Sequence, residues 1–167
     1  MIPVTSAEVY AWFFIHVGVL LVAAAWLTVS AILFPGITGR GATSLARRPW
    51  LAFIIGFALF LLGVILFAVM QTIPLPAAKF IAVLVGLGVI TFGLFGAGGL
   101  VRALASRVPS TEAMPTLRLL YGISLLVVLT WMLPGVGWFF ALPMTLMLGL
   151  GSLVLSRSGK PPRATKE

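Results

Sequence analysis

The chain has 167 residues, 61% hydrophobic and 8% charged, with eleven basic and three acidic side chains and a formal net charge of +8. Soluble domains are about 45–50% apolar and about 25% charged, so these few charges cannot cover a soluble fold, and a soluble globular enzyme is excluded. A disordered chain is excluded too, because disorder needs low hydrophobicity and high charge. An all-α integral membrane protein remains.

The first eight residues, MIPVTSAE, lack the basic stretch of a cleavable signal peptide. The first apolar run, Val9 to Phe34, is therefore expected to stay in the membrane, and it exceeds the roughly 20 residues that cross a ~30 Å hydrocarbon core. Pro35-Gly36 is expected to stop it. A polar stretch, Gly36 to Pro49, follows and carries Arg40, Arg47 and Arg48. Trp50 opens a second span that ends near Gln71. The proline-rich link Thr72 to Pro76 predicts a tight antiparallel hairpin into a third span, Ala77 to Val101, with Lys79 near its start able to snorkel to the headgroups. A second basic loop holds Arg102, Arg107, Glu112 and Arg118. The last apolar run, Leu119 to Leu155, would measure about 55 Å as one helix, and Pro134-Gly135-Val136-Gly137 divides it. The reading is two short helices, Leu119–Leu133 and Trp138–Leu155, with Trp131 and Trp138 as interfacial aromatics beside the turn and a kink at Pro143. The fold class is thus four to five transmembrane helices, the last pair broken at Pro134–Gly137. Residues 1–155 form one helical membrane domain and residues 156–167 a basic tail.

Charge distribution orients these segments. With five spans, Arg40, Arg47, Arg48, Arg102, Arg107, Arg118, Arg157, Lys160, Arg163 and Lys166 share one side, and only Lys79 lies opposite. Basic residues gather on the cytoplasmic side, so the expectation is an external N-terminus, a cytoplasmic C-terminus and a bacterial inner membrane. The same residues lie between and after apolar runs. They point to orientation and anionic headgroups rather than to nucleic acid.

Candidate chemistry is sparse. No Asp, Glu, Lys or Arg lies deep in an apolar run, where pumps and proton relays place them, and Glu8, Glu112 and Glu167 are terminal or in a loop. No cysteine is present to act as nucleophile or metal ligand. His16, the single histidine, could ligate a haem or pigment, but Trp12 four residues earlier would crowd a macrocycle; a hydrogen bond to a Ser, a Thr or a backbone carbonyl is favoured. No cofactor, metal or catalytic residue is therefore expected. Gly86, Gly93 and Ala97, with Gly96 nearby, suggest close helix packing, within the chain rather than between subunits. On that basis Gly93→Leu is expected to disturb assembly more than Gly151→Leu. Arg47-Arg48-Pro49-Trp50 makes a cationic lip beside an aromatic anchor, read as topology and anionic-lipid attraction.

Two stretches carry a family resemblance. One is Ile32-Leu33-Phe34-Pro35, then Ala46-Arg47-Arg48-Pro49-Trp50 and Gly56. The other is Leu133-Pro134-Gly135-Val136-Gly137-Trp138, then Leu148-Gly149-Leu150-Gly151. Together, from about Ala25 to Leu155, they resemble the multi-pass membrane region of bactofilin-like, polymer-forming bacterial proteins, where it follows a β-helical domain. This sequence carries no such domain, so polymer formation is not implied. The resemblance implies a bacterial inner-membrane anchoring or scaffolding module without known catalytic residues.

The expected function is a non-catalytic accessory or structural subunit of a larger membrane complex, bound to other membrane proteins and anionic lipids. A photosynthetic reaction-centre and antenna assembly is the favoured host over a respiratory complex or an envelope scaffold. The alternatives are a small oligomeric channel or transporter lined by Ser124, Thr130 and Thr145, and a pigment- or haem-binding protein using His16.

Overall fold

Three prolines that punctuate the sequence each open a helix. The computed structural model describes residues 6–109 and 116–158. Its helices are α1 (Ser6–Leu33), α2 (Pro35–Arg47), α3 (Pro49–Thr72), α4 (Pro76–Ala105), α5 (Leu117–Trp131), a π-helical turn (Gly137–Ala141) and α6 (Leu142–Ser158). Pro35, Pro49 and Pro76 occupy the first helical position, where a missing N–H costs nothing and the fixed φ suits the helix. Four helical stretches are long and apolar enough to cross a membrane: Ala7–Leu33, Pro49–Thr72, Pro76–Ala105 and Gly137–Arg157. No strand occurs among the described residues. The protein is an all-α, multi-pass membrane protein.

The first departure from the sequence reading is α2, which occupies most of the expected polar link between the first two spans. Thr38, Gly41 and Leu45 lie on one helical stripe and are buried, while Arg40 and Arg47 face outward. The stripe packs against α4 and α6. Gly36, Gly39 and Gly41 lower the intrinsic helix propensity of this segment, so its helical state depends on that packing. Thr38 Oγ1 also donates to the carbonyls of Ala31 at 3.2 Å and Phe34 at 2.8 Å, tying α2 back to α1.

Around α2 the long helices form two groups. In one, α6 packs against α4 and against α3, its two most extensive partners. Leu146 and Gly149 of α6 meet Gly93 and Gly96 of α4 in the same order along both chains, so the pair is parallel; Met147 and Gly151 meet Gly56 and Ala52 of α3 in reverse order, so that pair is antiparallel. In the other, α1 packs against α5 and α4 around Ala24, Leu27, Ala97, Val101, Leu120, Val128 and Trp131. Lipid tails are as apolar as these side chains, so close van der Waals fit and interhelical hydrogen bonds drive the packing.

The helix ends on the side of the α3–α4 hairpin are unequal. α5 has 15 residues and measures about 22 Å. Counting rise from the level shared by Gly93 and Leu146, α4 begins about 25 Å above it and the π turn about 13 Å. The Pro134–Gly137 turn is therefore recessed by about 12 Å relative to the α3–α4 hairpin. Gly135 adopts a φ of 75° in this turn, a conformation disfavoured for residues with a Cβ. Trp131 departs from the expected interfacial role. It is buried, and its Nε1 donates to Thr145 Oγ1 at 3.2 Å, whereas Trp138 is exposed. The disturbance expected at Pro143 takes the form of the π turn, in which the Leu142 N–H donates to the Gly137 carbonyl five residues back. That wider turn relieves the clash of a proline ring with the carbonyl four residues earlier. α6 continues to Ser158, into the expected tail, because Ser152 and Ser156 are still buried. The remainder of that tail, and Glu112, lie outside the described residues.

Candidate functional site

Each small residue at the centre of the helix assembly has a definite neighbour. A Cβ added at Gly96 would overlap the Gly149 carbonyl, and one at Gly149 would overlap the Gly93 carbonyl. Gly93 faces the Leu146 side chain, with a hypothetical Cβ 2.8 Å from Leu146 Cδ2, and Ala97 is fully buried. Gly86 turns elsewhere: a Cβ added there would lie 3.5 Å from the Phe67 ring on α3. The expected Gly86–Gly93–Ala97 stripe thus divides between α3 and α6. Ser152 completes the α4–α6 junction, donating from Oγ to the carbonyls of Gly96 at 3.0 Å and Gly149 at 2.8 Å.

The sequence reading underrates Gly56 and Gly151. A Cβ at Gly151 would overlap the Ala52 carbonyl, and one at Gly56 the Met147 carbonyl. Backbone cannot rotate away as a leucine side chain can. The expected order of Gly93→Leu over Gly151→Leu is therefore reversed, because Gly151 faces α3 rather than open space. Ala52-xxx-Gly56 was the available signal, a small-xxx-small pair on α3.

His16 lies on the exposed face of α1. Its Nδ1 is 2.7 Å from the Trp12 carbonyl, an intrahelical partner, and its ring centroid is 5.9 Å from that of Trp12. A carbonyl only accepts, so Nδ1 carries the proton and Nε2 is the other ring nitrogen. No group of three His, Asp or Glu residues that could hold a metal occurs among the described residues.

Among the described residues, the basic side chains other than Lys79 gather toward the opposite end of α1. Arg47, Arg48, Arg107 and Arg118 are exposed. Trp50 is 77% exposed and its ring meets Phe53 edge-on, with centroids 6.5 Å apart. Arg102 belongs to the last turn of α4 rather than to a loop. Its Nη1 donates to the Pro35 carbonyl at 3.4 Å across to α2, and its buried Nε has no hydrogen-bond partner. The helix continues through Arg102 because α2 covers it there.

Among the described residues, two clefts between helices stand out. The larger, about 860 Å³, lies between the second half of α1, the start of α2, Leu59 of α3, the middle of α4 and the end of α6, with Arg40 and Arg157 on its wall. The smaller, about 370 Å³, is lined by Thr130, Thr145 and apolar residues of α4, α5 and α6. Of the three hydroxyls considered for a pore, Ser124 is not in that cleft. It is fully buried, and its hydroxyl has no hydrogen-bond partner. Thr130 and Thr145 use their hydroxyls within their own helices, donating to Val127 and Ala141. Comparison with family models, curated proteins and solved structures finds no match to this chain.

Proposed function

We propose that the chain is a non-catalytic structural subunit of a larger assembly in a bacterial cytoplasmic membrane, with its N-terminus outside and its C-terminus in the cytoplasm. The observation that supports this reading is the outer half of α1. Every residue from Ala7 to Val19 is exposed, and Trp12, Phe13 and Phe14 are 63%, 60% and 68% exposed. The helix finds its intramolecular neighbours only from about Leu20 onward. Aromatic rings supply large, geometrically specific contact area. In lipid, where apolar area alone gives no drive, such fit against another helix favours association. The ten-to-one distribution of basic residues supports the orientation.

The test is the native mass of the gently solubilised protein, compared with that of the Phe13→Ala/Phe14→Ala variant. The reading expects a stable assembly of fixed stoichiometry for the wild type and a folded, lone chain for the variant. A lone wild-type monomer would contradict it, and selective solute flux in liposomes would favour the channel instead.

A further inference from the structure

We infer that the larger cleft is a binding site for one anionic phospholipid, with one of its acyl chains lying along α4 and its phosphate between Arg40 and Arg157. The cleft's volume of about 860 Å³ falls in the roughly 300–1,000 Å³ range of sites that enclose a small molecule. It is built as an amphiphile needs. Toward mid-membrane its wall is apolar, with Trp26, Leu59, Val89 and Phe92; at the basic end stand Arg40 of α2 and Arg157 in the last turn of α6. From Leu150 to Arg157 the wall rises about 10 Å along α6, so both regions are within reach of one lipid.

Charge selects the occupant. No ion pair links Arg40 or Arg157 to a carboxylate among the described residues, where Glu8 is the one acid. Glu8 lies in the first turn of α1, about 37 Å along the helix from Leu33. Arg40 Nε donates to the Gly36 carbonyl at 2.9 Å, which fixes the guanidinium and leaves its remaining N–H groups for an acceptor. An acyl chain gains little by leaving bulk lipid for an apolar cleft, so discrimination rests on the headgroup. A guanidinium near an anionic lipid surface corresponds to roughly a fivefold preference, and two to roughly thirtyfold. The inference goes beyond the subunit reading and does not depend on it, because it concerns the isolated chain.

The experiment uses the full chain in nanodiscs of phosphatidylcholine and phosphatidylglycerol, released into the gas phase for native mass spectrometry. The wild type is expected to retain one phosphatidylglycerol over phosphatidylcholine by roughly thirtyfold. Arg40→Gln/Arg157→Gln should abolish the preference. Arg107→Gln/Arg118→Gln, which removes equal charge from residues outside the cleft, should cost less. Thr91→Trp keeps every charge but fills the apolar wall at a lining residue, and should also release the lipid. Equal losses in the two arginine pairs would reduce the effect to overall charge and overturn the inference. So would undiminished retention by Thr91→Trp, since the acyl chain would then have no place in the cleft. Circular dichroism of each variant checks folding, and a variant that unfolds is replaced by Arg40→Lys/Arg157→Lys. That pair must keep the preference, and its loss there also overturns the inference.

Discussion

Gly151→Ala and Gly88→Ala are the same chemical change at two helical glycines, and the structure gives them opposite signs. Alanine has the higher helix propensity, so in open space the exchange stabilises by up to ~1 kcal/mol. Gly88 is such a site, with nothing within 4 Å of an added Cβ. At Gly151 the added Cβ would overlap the Ala52 carbonyl oxygen and lie 2.6 Å from its carbon, where ordinary contact begins at 3.4 Å. The shortfall is about 0.8 Å at the carbon and larger at the oxygen, so α3 and α6 must part by at least that much. A gap of ~0.5–1 Å forfeits roughly a quarter to a half of each contact's attraction along the seam. Overpacking of this kind costs ~1–3 kcal/mol, and the obstacle here is backbone, so the upper part of the range applies. Net of propensity, Gly151→Ala should destabilise by ~2 kcal/mol, lowering the thermal midpoint by ~4–8 °C on the scale for chains of this size. Gly88→Ala should leave it unchanged or raise it by up to ~4 °C. The assay is thermal unfolding of the detergent-solubilised protein, followed by circular dichroism and by loss of the monodisperse chromatographic peak. An unchanged midpoint for Gly151→Ala would refute the backbone contact between α3 and α6.

Three further outcomes follow from individual contacts. Trp131→Phe removes the hydrogen bond to Thr145 and trims the buried indole to a phenyl ring, and should cost at least about 0.6–1.7 kcal/mol in the same unfolding assay; no change would show that the bond contributes nothing. Ser124→Ala removes a buried hydroxyl without a partner and should be neutral or stabilising by up to ~1 kcal/mol, so a clear loss of stability would mean that the hydroxyl has a partner in the membrane. His16→Ala should leave the thermal midpoint within about 0.5 kcal/mol of wild type, as for an exposed site away from the core, and should remove no visible absorption band from the purified protein. A band lost on this substitution would restore the pigment reading.

Length and hydropathy made the long helices legible, because a ~30 Å apolar core sets the length of its spans. The Pro134–Gly137 turn was equally open to reading, since proline and glycine mark turns by their backbone chemistry. α2 was not, because its glycines and polar residues resemble a link until Thr38, Gly41 and Leu45 are seen against α4 and α6. The glycine contacts were half legible. Small spacing on α4 points to close packing, but only the fold reveals that Gly96 meets Gly149 while Gly151 meets Ala52. Arg40 and Arg157 are far apart in sequence, and nothing in either local context pairs them. They share a cleft because α2 returns across the basic end of α6.

The central claim is that the N-terminal half of α1 seats against another membrane protein, and site-specific photo-crosslinking in intact cells tests it most directly. A photoreactive residue would replace Phe13, Phe14 or, for comparison, the exposed Leu62 of α3. The account predicts one discrete protein adduct of constant mass from Phe13 and Phe14, and lipid adducts from Leu62. Lipid adducts alone from all three positions would contradict it.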